Sequence, residues 1–277
     1  MNKLLNKKMV FKDYHYQPTT LILPNAWDVM SAKTYQELGY KAIGTTSAGI
    51  SASAGYLDGE RIPFSEMFKV VKEITKSVDI PVSADIESGF SETIEGILEN
   101  VKKLISIGVA GINLEDSIKS ANTKIYEIAY QQEKIEKIKD LAIIEGVQLF
   151  VNARTDIYWL NLFNDKCRFA KTIERAKAYQ DAGADGIFIP GVEDEDTIKM
   201  FVKEIELPIN ILVGRSTPKI QQLNSLGVSR LSFGSGAYRA TMSALLEITE
   251  EVIKYGEYKR MMNNSFTYEK MMRILYQ

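Results

Sequence analysis

The chain has 277 residues, enough for one α/β barrel or two small domains, and its 45% hydrophobic and 25% charged residues are those of a folded globular protein. A formal net charge of −2, with acids and bases interspersed, gives no basic footprint for nucleic acid, and no apolar run approaches the roughly 18 residues of a membrane span. The start, MNKLLNKKMVFKDY, has lysines but no apolar signal-peptide core, and the single cysteine, Cys167, excludes an internal disulfide, so a reducing cytoplasm is expected.

Taken in chain order, short apolar runs alternate with helix-length segments. The runs are TLILPNAW (20–27), YKAIGTTS (40–47), IPVSADIE (80–87), VAGINLED (109–116), QLFVNART (148–155), DGIFIPG (185–191), LPINILVG (207–214) and SRLSFGS (229–235). Most are too continuously apolar for a half-exposed antiparallel sheet, and strands buried on both faces of a parallel sheet read this way. A local repeat accompanies them: LGYKAIG, IGVAGINLE, AGADGIFIP and LGVSRLSFG each place a glycine after a helical stretch and before a strand. Gly39, Gly108, Gly183 and Gly227 are therefore expected to end helices in the left-handed region. Helix starts are expected at Thr217-Pro218, an N-cap followed by proline, and at Ser91, before an acidic turn.

Eight β/α units in this length favour a closed (β/α)₈ TIM barrel over an open doubly wound sheet, with residues 1–277 as one domain. Residues 240–277 continue helically and carry Met261, Met262, Phe266, Met271, Met272, Ile274 and Leu275, so they pack either on their own barrel or on a partner subunit.

Active sites of this fold lie at the C-terminal strand ends. Those ends bring Asp28, Thr45, Thr46, Ser47, Asp85, Glu87, Glu115, Asp116, Asn152, Arg154 and Asp156. Asp85 and Glu87 are two apart, so on a regular strand they point the same way and share that side with Glu115 of the next strand. Such acids repel unless a cation neutralises them, and Mg²⁺ suits hard oxygen ligands. Zinc is disfavoured because the one histidine, His15, and the one cysteine are far apart. The competing reading is that the acids pair with lysines or cap helices. Arg154 can clamp a carboxylate or phosphate through paired hydrogen bonds, or can serve as a structural partner for Glu115. The small turn at Thr45, Thr46, Ser47 and Gly49 offers backbone amides to an oxyanion.

At ADIESG, NLED, NARTD and the TTSAG turn followed by YLDG, the chain resembles the isocitrate lyase / phosphoenolpyruvate mutase superfamily, in order from about Leu23 to Arg239. The resemblance implies a barrel whose last helix is exchanged between subunits, a homo-oligomer built as a dimer or tetramer, and Mg²⁺, with Mn²⁺ able to substitute, binding a 2-oxo acid or its enolate. It implies that Asp85 and Glu87 are metal-site acids, although the second is usually aspartate. Asp58 and Glu115 match acids completing the site, and Arg154 matches the arginine that binds the substrate's carboxylate or phosphoryl end; these three form the catalytic set. Thr45, Thr46 and Ser47 match the turn holding the 2-oxo acid, and Arg239 matches a contact to an anionic group.

Two departures bear on the reaction. The isocitrate and methylisocitrate lyases carry a Lys-Lys/Arg-Cys-Gly-His loop where this chain reads SIKSANTKIYEIAY, without cysteine or histidine; Cys167 lies in the next helical segment and is expected to be a buried packing residue. The mutases place a histidine after the sixth strand, where Pro190 stands, and a Lys-x-Asn-Ser lid that is matched only by Lys119 and Asn122. His15 precedes the first strand and is expected at the surface. The leading expectation is a Mg²⁺-dependent carbon–carbon lyase that cleaves or decarboxylates a small 2-oxo acid or related carboxylate through an enolate. Tyr126 and Lys119, in a 117–130 loop that closes over the site, are its candidate proton donors. The alternatives are a phosphonate P–C hydrolase or phosphomutase-like enzyme, and a non-catalytic 2-oxo-acid sensor.

Overall fold

Pro24 lies inside the first apolar run and, having no N–H, cannot donate to a strand ladder. The run accordingly splits into β1 (Leu21–Leu23) and β2 (Asn25–Ala26) in the computed structural model, which describes residues 3–119, 124–263 and 266–276, with backbone alone at 3–8 and 166. The other runs form β3 (Ile43–Thr45), β4 (Val82–Asp85), β5 (Gly111–Glu115), β6 (Phe150–Arg154), β7 (Gly186–Phe188), β8 (Ile209–Leu212) and β9 (Arg230–Ser232). All pair in parallel in the order β1-β9-β8-β7-β6-β5-β4-β3-β2. Because β1 and β2 are consecutive through Pro24, the ring closes through one interrupted strand, and the expected eight-unit TIM barrel results. Asn25 seals the seam: its Oδ1 accepts the N–H groups of Phe233 and Gly234 at 2.8 and 2.9 Å, while its Nδ2 donates to the Thr45 carbonyl at 2.8 Å.

The helices are α1 (Lys3–Tyr14), α2 (Val29–Glu37), α3 (Ser47–Ser53), α4 (Phe64–Ser77), α5 (Ile94–Ser106), α6 (Ile128–Ile144), α7 (Asp165–Asp181), α8 (Glu195–Glu204), α9 (Ile220–Leu226), α10 (Gly236–Tyr255), α11 (Lys259–Met262) and α12 (Tyr268–Tyr276). Apolar spacing decides which face turns inward: α4 buries Met67, Val71 and Ile74, and α5 buries Ile97, Val101 and Leu104. Gly39, Gly108, Gly183 and Gly227 have φ between +83° and +91°, so the repeated glycine is the left-handed residue that turns each helix back to its strand.

Two helix starts differ from expectation. Lys219, not Thr217, precedes α9; the Thr217 hydroxyl instead accepts the Gly214 N–H at 2.7 Å and tightens the turn before it. Thr93, not Ser91, caps α5 by accepting the Gly96 N–H, and Ser91 accepts the Thr93 N–H just upstream. Cys167 is exposed rather than buried, because it falls in the first, solvent-facing turn of α7, beside its N-cap Asn164.

His15 is also misplaced by the sequence reading. It is 3% exposed, stacked on Phe150 at 3.9 Å with Nδ1 2.8 Å from the Phe11 carbonyl oxygen. Burial, reinforced by Arg230, pushes its pKa down to about 3, so the ring is neutral. Phe11 and His15 plug the N-terminal end of the barrel, far from the strand ends that carry chemistry. Gly111 makes the seat: a Cβ there would lie 2.7 Å from the Phe11 ring and 2.9 Å from the Phe150 carbonyl oxygen.

In the C-terminal region, α12 packs on α2 of its own barrel, with Ile274 1% exposed and Arg273 2.9 Å from Glu37. By contrast α10 buries none of its side chains and leaves Leu245, Leu246 and Ile253 exposed. Among the described residues no helix is long and apolar enough to cross a membrane.

Phe11→Ala empties the plug, and unfolding in urea should show a loss of about 3–5 kcal/mol. A loss under about 1 kcal/mol would mean that α1 does not hold the barrel floor.

Candidate active site

At the opposite end, the turn after β3 is organised around Asp85. The Thr46 hydroxyl caps α3 by accepting the Gly49 N–H at 3.2 Å, and the Thr45 hydroxyl accepts the Asp85 N–H at 2.9 Å. Ser47 donates both its N–H and its hydroxyl to Asp85 Oδ2, at 3.2 and 2.8 Å. The small turn therefore positions a carboxylate, and the Ser47 amide is taken by it. The other oxygen, Asp85 Oδ1, is buried without a hydrogen-bond partner.

Glu87 does not follow strand alternation from Asp85. The strand ends at Asp85, and Glu87 has φ 49°, a left-handed conformation that costs about 1–3 kcal/mol for a non-glycine residue unless its surroundings fix it. Here a reciprocal clasp does so. Glu87 Oε1 accepts the Glu60 N–H at 3.1 Å, and Glu60 Oε1 accepts the N–H groups of Ser88 and Phe90 at 2.8 and 3.1 Å. The YLDG turn that carries Asp58 is thereby laced to the ADIESG turn.

Glu87 Oε2 lies 2.8 Å from the Lys119 ammonium, which also contacts Glu115. Glu115 further accepts from the Ser117 hydroxyl, and its Oε2 lies 2.9 Å from Arg154 Nη1. Arg154 forks onto Asp156 through Nε at 2.6 Å and Nη2 at 3.1 Å. Arg154 thus pairs with Glu115, as its structural reading had it, and still keeps N–H groups for a ligand. Asp116 faces away as a strut: it accepts from Tyr179 at 2.7 Å, Arg175 at 3.2 Å and the Asp156 N–H at 2.9 Å. Asp28 caps α2 through the Ser31 N–H, and Asn152 donates to Asn113 inside the barrel at 2.9 Å.

Burial sets the titration of this cluster, and the cations modify it. Burial pushes Glu87 up to about 8 against the pull of Lys119, and pushes Asp156 up to about 7 against Arg154. Burial also opposes ionisation of Glu115, but Arg154 and Lys119 outweigh it and hold that carboxyl down at about 2. Asp58 is raised by burial and then by Asp85. Burial disfavours the Lys119 charge, yet Glu115 and Glu87 raise its pKa.

A cavity of about 570 Å³ opens over these groups, lined among others by Thr46, Ser47, Asp58, Asp85, Arg154, Trp159, Phe188, Arg215 and Arg239. A recess of about 220 Å³ shares Ser47, Asp58, Arg154 and Trp159 with it and adds Glu87, Glu115 and Lys119. Thr45 is buried beneath, Arg239 is exposed at the rim, and Tyr126 lines a separate recess that also touches Lys119. Asn122 lies outside the described residues. Sequence reasoning missed Trp159 and Phe188, whose rings flank the Arg154 guanidinium at 5.8 and 5.7 Å, and Arg215 just past the seventh run. Position at or just past a strand end was the signal available for all three. Among the described residues no three Asp, Glu, His or Cys side chains converge as a ready metal cage. Mg²⁺ needs none, since it keeps several waters and is often held by one or two carboxylates, and the unpartnered Asp85 oxygen fits that role.

The family model for phosphoenolpyruvate phosphomutase matches residues 11–253. An uncharacterised protein of Mycobacterium tuberculosis is 39% identical over 85% of this chain and 86% of its own. The 2,3-dimethylmalate lyase of Eubacterium barkeri is 29% identical over 82% of this chain and 80% of its own. The oxaloacetate decarboxylase of Pseudomonas fluorescens SBW25 is 29% identical over 86% and 81%. The crystal structure of a 2,3-dimethylmalate lyase superposes with a TM-score of 0.85 at 20% identity, covering 97% of this chain and 94% of that one, a likeness of fold.

A raised Glu87 pKa means that the fold prefers the protonated acid. Its contribution is complete below the ordinary value of 4.5 and is lost as pH rises through about 8. Melting of metal-free protein should therefore reveal stability falling over that window, with Glu87→Gln losing roughly 2–4 kcal/mol less than the parent. Parallel curves for the two proteins would remove Glu87 as the titrating group.

Proposed function

The chain belongs to the phosphoenolpyruvate phosphomutase family, within the isocitrate lyase / phosphoenolpyruvate mutase superfamily, and from that premise we propose a Mg²⁺-dependent carbon–carbon lyase that cleaves or decarboxylates a small 2-oxo acid or related carboxylate. The observation that carries this reading is the buried, unpartnered Oδ1 of Asp85 in the wall of a cavity shared with Arg154. Relatives named as a dimethylmalate lyase and an oxaloacetate decarboxylase support the class of reaction.

Asp85 would hold the cation, with Glu87, Asp58 and Glu115 completing the acidic wall; Mn²⁺ has the same oxygen preference. When bound, the metal supplies Lewis-acid stabilisation of the negative charge that develops on the substrate oxygen as the bond breaks. The chain's own residues do the rest. Ser47 fixes the Asp85 carboxylate and the Thr45 hydroxyl anchors the Asp85 backbone N–H, so little reorganisation is needed when a ligand arrives. The remaining N–H groups of Arg154 take the substrate carboxylate, and its planar fork sets the orientation. Trp159 and Phe188 flank that fork, the first exposed and the second buried, and their ring faces would hold its plane in place. Arg239, at the rim, meets a second anionic group of the substrate. Lys119, which lines the recess, and Tyr126, in the adjoining one, are the two candidates that would supply the proton to the enolate carbon. The uncovered apolar residues of α10 support a homo-oligomer, and the single cysteine fits the cytoplasm.

Phosphonate P–C chemistry is the second reading, favoured by the description of the matching family itself. Phosphate release from phosphonopyruvate would distinguish it.

Calorimetric titration with oxalate, an enolate mimic, should give binding only when Mg²⁺ is present. Asp85→Ala should abolish that binding and Mg²⁺-dependent decarboxylation of oxaloacetate, while Arg154→Met should weaken binding by about tenfold or more. Oxalate binding that ignores both Mg²⁺ and the loss of Asp85 would remove the site from the reading.

A further inference from the structure

Lys119 follows β5 by only four residues from Glu115, yet its ammonium turns back to contact Glu115 and lies 2.8 Å from Glu87 Oε2. Its side chain is 22% exposed, and both acids are 2% exposed. The contact therefore sits where solvent screens it weakly. Asp85 differs: among the described residues its carboxylate accepts from the neutral donor Ser47, through the N–H and the hydroxyl, while its own backbone N–H donates to the Thr45 hydroxyl. The two sides of the mouth thus carry different compensation. Glu87 and Glu115 touch an internal ammonium, whereas Asp85 feels the more distant charges of Arg154 and Arg230 and, among the described residues, has no cation at ion-pair distance.

We infer that Lys119 is a built-in counter-ion that competes with the divalent cation for Glu87 and Glu115, so that its ammonium sets the metal affinity of the mouth. This rests on the reading that the mouth binds Mg²⁺. The ammonium, in contact with both Glu115 and Glu87, offsets the negative charge of the pair in the metal-free mouth. A hydrated dication drawing on the same acids meets that positive charge at close range, so full engagement of both cations with the pair is disfavoured. Linkage gives a second consequence: an anionic ligand that draws Lys119 toward itself frees the acids and raises metal affinity.

The test measures Mn²⁺ binding by electron paramagnetic resonance, and Mg²⁺ binding by calorimetry, on the full chain without substrate. Lys119→Met and, as a polar second variant, Lys119→Gln should each bind about tenfold more tightly than the parent, while Lys119→Arg, which keeps the charge, stays near it. Without metal, Lys119→Met should melt at lower temperature, and saturating Mg²⁺ should restore it. Oxalate should raise Mg²⁺ affinity more in the parent than in Lys119→Met. Equal or weaker metal binding by folded Lys119→Met and Lys119→Gln overturns the inference and leaves the lyase reading standing. Absence of metal binding in the parent and every variant overturns the metal-dependent reading, and this inference with it.

Discussion

The carboxylate of Glu115 ties together three parts of the barrel mouth by charge, on top of the ladder that already pairs it with Arg154. It closes β5, takes the hydroxyl of Ser117 and the ammonium of Lys119 from the segment that follows, and takes the guanidinium of Arg154 from the end of β6. Parallel strands bring acids from neighbouring ends to one rim, and like charges gathered out of water cannot stay there without compensation. Arg154 and Lys119 provide it, each bridging Glu115 to a further acid, Asp156 or Glu87. The mouth is therefore a charge network before it is a binding site, and the positions of its ligand-facing groups follow from how that network balances.

The barrel was legible because buried parallel strands leave a strong trace. Each of the eight apolar runs became a strand segment, and the glycines of the repeat all adopt positive φ. The failures were local. Thr217 and Ser91 have the composition of caps but serve in adjacent turns, because a hydroxyl bonds whichever backbone N–H the fold brings to it. Cys167 shows the limit of residue averages, since its place in the first turn of α7 puts it in solvent. His15 shows the converse. Nothing in its neighbourhood in sequence announces that α1 plugs the barrel, because its partner Phe150 is more than a hundred residues away.

The site was legible by position and less so by geometry. Asp58, Asp85, Glu87, Glu115 and Arg154 were named from strand ends and motif resemblance, and they do line connected cavities. The strand-alternation argument for pairing Asp85 with Glu87 does not describe how they come together. A left-handed residue and a reciprocal glutamate clasp orient Glu87, and sequence spacing carries no sign of either. Asp28 and Asp116 were gathered by the same positional rule, yet one caps a helix and the other props Arg175 and Tyr179. An acid at a strand end is a candidate; what distinguishes a functional one is whether the surrounding donors leave an oxygen over.

That criterion separates the acids of this rim. Asp116 is fully buried and takes three donors, so another ligand would have to break bonds already made. Glu115 is satisfied as well, but partly by Lys119, and among the described residues Glu87 Oε2 has that ammonium as its ion-pair partner and no hydrogen bond; the long flexible lysine stem can exchange partners with less cost than a backbone N–H. Asp85 has one oxygen fixed by Ser47 and the other buried and open. The protein thereby keeps one carboxylate preorganised and two held by a replaceable charge. Such an arrangement compensates Glu87 and Glu115 without occupying Asp85 Oδ1, the oxygen to which the proposed function assigns the cation.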